Sequence, residues 1–393
     1  MMEGRIHFTH AQSVSLTAVL LLAFAASLGM AFNVDAIVLS FSATNFQAGL
    51  VASTEMAGIA AGNLLLGRLA PSLHAHRVYL LGALAIAAFN LLSLFTGSVW
   101  ELLALRAPAG FALGAVLSTV MATAARSATP ELTFGVINSL VGVMGLTLAF
   151  VLPRALHAHV LANEVSPAFL DWNELDGLYA VYILCSLLAL AFIRGTPVPK
   201  PLPPAGPAAG SRSKGIGWLA LAGLGVIFFG HGTLALFLVR VGREIPLAAE
   251  TIGYVLMTGS LVGIACPLLA GYIGSRMAPG LPIAVIVAIL LVAGLSLSNI
   301  GTVAAFFIAT PVFAALPTAV MPIMLGVLSR FDPSGSLAAS HPAFIMIAGA
   351  VAPFAGGFIS DAWGGFAANG WFAAACILIG SLLCRPVMRQ ARR

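Results

Sequence analysis

Runs of about 20 apolar residues recur along this chain, and no other feature limits its fold so tightly. The hydrocarbon core of a bilayer is about 30 Å thick, and a helix rising about 1.5 Å per residue crosses it in about 20 residues. The runs fall at 14–39, 46–70, 78–97, 99–125, 134–153 and 177–193, and again at 217–239, 252–273, 281–298, 303–328, 341–360 and 371–385. Lipid offers no partner to backbone N–H and C=O groups, so each run must satisfy its own hydrogen bonds as a helix. Composition agrees: 60% of residues are hydrophobic and 8% charged, against about 25% charged in a soluble domain. The chain therefore reads as an all-α membrane protein with twelve transmembrane helices. Ala23-Phe24-Ala25 resembles a signal-peptide cleavage site, but the apolar run continues past it and is read as a retained first span.

One stretch breaks the pattern. Arg194 to Gly217 reads RGTPVPKPLPPAGPAAGSRSKGIG, a proline-rich spacer with no apolar face to bury. It divides the chain into residues 1–193, a linker over 194–216, and residues 217–393, with six runs on either side. Two pseudo-symmetric six-helix bundles joined by a strap are expected. Charges orient them. With the N-terminus inside, Arg5, Arg68, Arg77, Arg126, Arg194, Lys200, Arg212, Lys214, Arg276, Arg330, Arg385, Arg389, Arg392 and Arg393 face the cytoplasm. Arg154, Arg240 and Arg243 lie outside, and Arg106 falls within the membrane. This is a positive-inside bias, which accounts for the net charge of +5 without nucleic acid. It places both termini and the linker in the cytoplasm, and a bacterial inner membrane is the expected location.

With this organisation the chain resembles the major facilitator superfamily. The stretch Gly67-Arg68-Leu69-Ala70-Pro71-Ser72-Leu73-His74-Ala75-His76-Arg77 is similar to the family's loop between the second and third spans, and Gly271-Tyr272-Ile273-Gly274-Ser275-Arg276-Met277 repeats part of it in the second half. Pro71 and Ser275 stand where the family has an acid. The resemblance implies a cytoplasmic gate containing Arg68, Arg77 and Arg276, without that acidic partner. In the fourth span, Arg106-Ala107-Pro108-Ala109-Gly110-Phe111-Ala112-Leu113-Gly114 is similar to a family segment associated with proton coupling. The fifth span, Asn138-Ser139-Leu140-Val141-Gly142-Val143-Met144-Gly145, has the glycines but not the Gly-Pro pair frequent in the family's exporters.

Physical reasoning reaches the same fourth span. An arginine in the bilayer costs at least about 2.5–3.5 kcal/mol, so Arg106 should face a partner or a wet cavity. Asp35, near the outer end of the first span, and Glu55, in the outer half of the second, lie at a comparable depth. Glu55 or Asp35 is expected to carry a proton while Arg106 alternates between the carboxylate and substrate. His231, between Gly230 and Gly232 in mid-membrane, is a candidate substrate or proton contact. Asn33, Asn138 and Thr233 are further candidates for binding substrate. Asn63 and Asn90 are other polar candidates for the cavity. Pro311 and Pro317 should free backbone carbonyls and bend the tenth span. Phe228, Phe229, Phe237, Phe306, Phe307 and Phe313 read mostly as packing or lipid-facing residues. So do the four cysteines. His341 reads as a helix-end residue, Asp361 as an interfacial one, and residues 154–176 as a long outer loop whose His157 and His159 are not spaced to share a metal.

The reading is a secondary transporter that moves a small organic solute by alternating access, with its site near the midplane between two bundles. Proton coupling is expected, with sodium left open. No phosphate-binding glycine loop is present, and no cofactor or metal is expected. A monomer in the lipid bilayer is expected, with no nucleic-acid partner and no enzymatic activity. The alternatives are efflux of amphipathic drugs or lipid-like molecules and, in other classes, a non-transporting receptor or an intramembrane enzyme.

Overall fold

A computed structural model of the chain describes residues 7–67, 73–124, 126–128, 130–165, 172–197, 215–331 and 336–390, and the regular structure among them is helical. Eleven of these helices are long and apolar enough to cross a membrane. They are hydrophobic nearly all round, as helices solvated by lipid must be. The expected first span completes the twelve, in three pieces: α1 (His10–Ala23), α2 (Ala25–Leu28) and α3 (Met30–Phe41). Its breaks fall at Phe24 and Gly29. A Cβ at Gly29 would overlap the Tyr182 hydroxyl and the Leu152 side chain. The second break thus sits where neighbouring side chains press against the backbone.

The chain divides into two compact units. The first comprises Met1–Ala43 and Thr54–Ala208, the second Thr44–Ser53 and Ala209–Arg393. The expected linker lies largely outside the described residues. After the first span come α4 (Asn45–Gly67), α5 (Ala75–Ser93), α6 (Val99–Ala124), α7 (Pro130–Leu156), α8 (Ala158–Val165) and α9 (Glu174–Ile193). Helix α4 is divided between the units, its opening turns grouping with the second. The expected outer loop at 154–176 is shorter than its sequence suggests, because α7 continues to Leu156 and α8 occupies eight residues of it. His157 and His159 are spent locally, on the Pro153 carbonyl at 3.1 Å and the Leu156 carbonyl at 2.8 Å. A reciprocal cap starts α9: the Leu175 N–H donates to the Asn173 side chain at 2.9 Å, and the Asn173 N–H to Asp176 at 2.8 Å.

Two pairs of glycines bring α4 and α6 together in the first unit. A Cβ at Gly58 or Gly62 would overlap the carbonyl of Ala107 or Phe111, and one at Gly110 or Gly114 the carbonyl of Glu55 or Ile59. Each backbone lies against the other over two turns, the close approach that small residues permit in lipid.

The second unit contains α10 (Gly215–Ala235), α11 (Leu238–Glu244), α12 (Ala249–Arg276), α13 (Gly280–Asn299), α14 (Val303–Ala315), α15 (Pro317–Phe331), α16 (Ser336–Ala362) and α17 (Ala367–Gln390). The tenth span is divided at Leu316, where Pro317 has no N–H to continue the ladder. Asp361, expected at the interface, is exposed and also caps a helix: its carboxylate accepts from the N–H groups of Asn45 at 3.2 Å and Phe46 at 2.7 Å. The Gln47 N–H donates to the Thr44 hydroxyl at 3.2 Å, and the Ala48 N–H to the Thr44 carbonyl at 3.1 Å. All four amides that open α4 thereby find acceptors.

Candidate functional site

In the first unit, α4, α5, α6 and α9 surround Arg106. Its side chain is among the largest that are fully buried. Nη1 donates to Asn90 Oδ1 at 3.0 Å, and Nη2 donates to the Ser93 hydroxyl at 2.6 Å and the Phe89 carbonyl at 3.1 Å. The guanidinium carbon lies 4.7 Å from the centre of the Tyr179 ring. Glu55 completes the set, with Oε2 3.7 Å from Nη1 and both side chains almost wholly enclosed. That separation is beyond a hydrogen bond. The arginine is therefore held in place by neutral oxygens, and the carboxylate approaches it as a charge.

This division of labour separates the two partners chemically. Arginine stays protonated in proteins, whereas a carboxyl group exchanges a proton and becomes a donor when it does. None of the three acceptors that Arg106 uses belongs to Glu55, so the hydrogen bonds that hold the arginine do not involve the carboxyl group. Glu55 Oε1, Asn90 Nδ2 and Arg106 Nε have no partner among the described residues, although all three are buried. A network with this unused hydrogen-bonding capacity suits a site that changes partners.

Asn33 and Asp35 lie on α3, both buried. Asn33 donates to the Ala26 carbonyl at 3.0 Å, just before the break at Gly29, and accepts from the Tyr182 hydroxyl at 2.6 Å. Tyr182 in turn packs edge-on against Tyr179, with ring centres 6.1 Å apart. Aromatic contact thus links Asn33 to the ring beneath Arg106. Asp35 enters neither the ion pair nor the hydrogen bonds of Arg106. The side chain of Asn138, within α7, and all of Arg68 lie outside the described residues.

In the second unit, His231 on α10 is half-buried and meets α14. Its Nε2 lies 2.9 Å from the Phe313 carbonyl, and its ring is tilted against the Phe313 ring at 4.6 Å between centres. Phe313 is four residues before Pro317, so its carbonyl has lost the helical donor it would ordinarily have. A carbonyl only accepts, so the histidine carries its proton on Nε2 and offers Nδ1 as an acceptor. Thr233, two residues on, is buried, and its hydroxyl donates to the Gly230 carbonyl at 2.7 Å. Its own carbonyl accepts from Asn369 at 2.8 Å. Arg77 is exposed at the start of α5 and Arg276 at the end of α12, where its guanidinium carbon is 4.1 Å from the Tyr272 ring centre.

Three side chains in or beside the Arg106 cluster are absent from the sequence reading, Ser93, Tyr179 and Tyr182, as is the Phe89 carbonyl. Tyr179 and Tyr182 were signalled, since two of the chain's five tyrosines stand three residues apart in a span that is mostly aliphatic. Ser93 had a weaker sign, being one helical turn beyond Asn90.

A sequence profile described as Major Facilitator Superfamily matches residues 14–335. Among solved structures, a bacterial homologue of the human lysosomal transporter Spinster in an inward-facing, unoccupied conformation is 13% identical, with 98% of each chain covered and a TM-score of 0.71. The same kind of homologue in an occupied conformation is 14% identical, covering 96% of this chain and 92% of its own, with a TM-score of 0.69. A bacterial homologue of the human drug peptide transporters PepT1 and PepT2 is 14% identical over 97% of this chain and 99% of its own, with a TM-score of 0.68. No curated protein sequence matched the chain.

Proposed function

Because the chain belongs to the Major Facilitator Superfamily, we propose that it is a secondary transporter that moves a small organic solute by alternating access and is driven by protonation of Glu55. The buried Glu55–Arg106 pair carries this reading. Breaking such a pair by removing one partner costs about 3–5 kcal/mol, a cost that a packing role alone would not call for, since an apolar pair would fill the same space. In the proposed cycle the proton neutralises Glu55 and ends its attraction for Arg106. An anionic group of the solute can then compete for the guanidinium, and loss of the proton restores the pair and displaces the solute. Coupling follows because the two states have different affinities for proton and solute. His231, with its acceptor nitrogen turned from Phe313, is proposed to take a donor group of the solute.

Reconstituted protein tests this directly. Candidate organic acids, amino acids, sugars and peptides that stabilise the purified protein against heat are assayed for counterflow in proteoliposomes and then for uptake under an imposed pH gradient. Glu55→Gln is expected to abolish uphill uptake while preserving exchange at equal pH on both sides. Uphill uptake unchanged in Glu55→Gln removes Glu55 from the mechanism, and saturable binding without exchange removes transport.

A further inference from the structure

The last helix of the second unit forms a groove with α13 that runs from apolar to basic. Gly280, Ile283, Ala284, Val287, Ala288 and Leu291 line it from α13, and Leu378, Ser381, Leu382, Arg385, Met388 and Arg389 from α17. These positions recur every three or four residues, so each set forms a stripe on one helix face. Each stripe runs over twelve residues, and its eleven steps of about 1.5 Å make about 16 Å, which is about half of a 30 Å hydrocarbon core and so the depth of one leaflet. Leu378 and Leu291 sit at the deep end. Arg385 and Arg389 sit at the other, both exposed, beside the first turn of α13. Gly280, the first residue of α13, lines the same groove as the two arginines, and a helix N-terminus and guanidinium groups both favour an anion. Among the described residues, no carboxylate lines the groove.

The arrangement recurs in the first unit. There α5 opens and α9 ends around a shorter groove lined by His76, Arg77, Leu80, Leu190, Ile193 and Arg194. Arg77 and Arg194 are exposed. Again two arginines share one mouth at the end of flanking apolar helix faces, with no carboxylate among the described lining residues. All four arginines belong to the set that the charge bias assigns to the cytoplasmic side.

We propose that each groove binds an anionic phospholipid of the leaflet facing the basic loops, with the headgroup phosphate between the paired arginines and, in the α13–α17 groove, an acyl chain along the apolar stripe. Charge selects the headgroup and groove length selects the chain, so the occupant is a lipid rather than a free anion. Basic residues near an anionic lipid surface are worth about 1 kcal/mol each. Removing two from one mouth should weaken binding there roughly thirtyfold, at tenfold per about 1.4 kcal/mol.

The test uses the full-length protein, purified in a neutral detergent and stripped of lipid. Native mass spectrometry counts bound phosphatidylglycerol, phosphatidylcholine of the same acyl composition, and inorganic phosphate. Two phosphatidylglycerol molecules are expected to bind in preference to phosphatidylcholine. The pair R385Q/R389Q should lose one of them and R77Q/R194Q the other, while R385K/R389K retains both. Equal retention of the two lipids by the unaltered protein overturns the proposal without reliance on any variant. So does unchanged occupancy in the glutamine pairs. Displacement of the lipid by millimolar phosphate would show an anion site and overturn the lipid assignment. None of these readouts depends on transport.

Discussion

The bond between His231 and the Phe313 carbonyl makes a quantitative claim. It holds that the histidine serves an acceptor freed by Pro317, so the two residues should depend on each other energetically. His231→Ala removes the donor at 2.9 Å and leaves the carbonyl without one. An orphaned buried acceptor costs about 1–3 kcal/mol, while hydrogen bonds between membrane helices average about 0.6 kcal/mol and reach about 1.7. The proline removes the usual fallback donor, so the loss should lie near the upper membrane value, about 1–2 kcal/mol. In a Pro317→Ala background, residue 317 has an N–H of its own to offer the carbonyl, and the same substitution should cost less than about 0.5 kcal/mol. The cycle of single and double variants, followed by denaturation in mixed micelles, should give a coupling of about 1 kcal/mol, above the ~0.3–0.5 kcal/mol within which independent sites add. His231→Gln, which keeps a donor near the position of Nε2, should recover part of the loss. Additive costs in the double variant would refute the reasoning, since the carbonyl would then owe nothing to the proline.

Other substitutions test other parts of the structure. Arg106→Met should lower the unfolding free energy by about 3–5 kcal/mol by leaving Glu55 buried without its partner, and adding Glu55→Gln to it should recover part of that in the same denaturation assay. Gly110→Val places side-chain carbon against the Glu55 carbonyl. It should cost at least the ~1–3 kcal/mol usual for overpacking, whereas Gly215→Ala, where a Cβ meets nothing among the described residues within 4 Å, should leave the thermal midpoint unchanged. Asp361→Ala should cost about 1 kcal/mol, as loss of a helix cap does, and hydrogen exchange should accelerate at the Asn45 and Phe46 amides.

The spans were legible in the sequence because a bilayer leaves a chain so few ways to cross it. The meeting of Glu55 with Arg106 was legible for a related reason: helical rise fixes depth, and buried charges seek opposite charges at the same level. Pro317 announced a free carbonyl in the tenth span, and His231 announced a polar group needing a partner. Their pairing was not readable, because it depends on the rotation of two helices whose paired residues, His231 and Phe313, stand 82 positions apart. The same limit hid Asp361. One carboxylate at the end of an apolar run looks interfacial, and only the fold reveals that its oxygens face the opening amides of α4. The breaks at Phe24 and Gly29 had little local signature in a run of alanine and leucine. Asn33 and Thr233 drew attention because they are polar, yet their side chains meet backbone carbonyls on their own span, with Asn33 also accepting from Tyr182, details set by rotamers that spacing does not determine.

The glycines between α4 and α6 act as a splint. Where Gly58 lies on the Ala107 carbonyl and Gly110 on that of Glu55, no side chain remains to be compressed or withdrawn, and parting the helices would open an unfilled slot in hydrocarbon. The anchor points of Glu55 and Arg106 are thereby kept at constant spacing. If protonation of Glu55 drives the cycle as proposed, the change in their relation is expected to come from rotation about side-chain bonds, and probes fixed to the two backbones at this level should register no movement when the pH is changed.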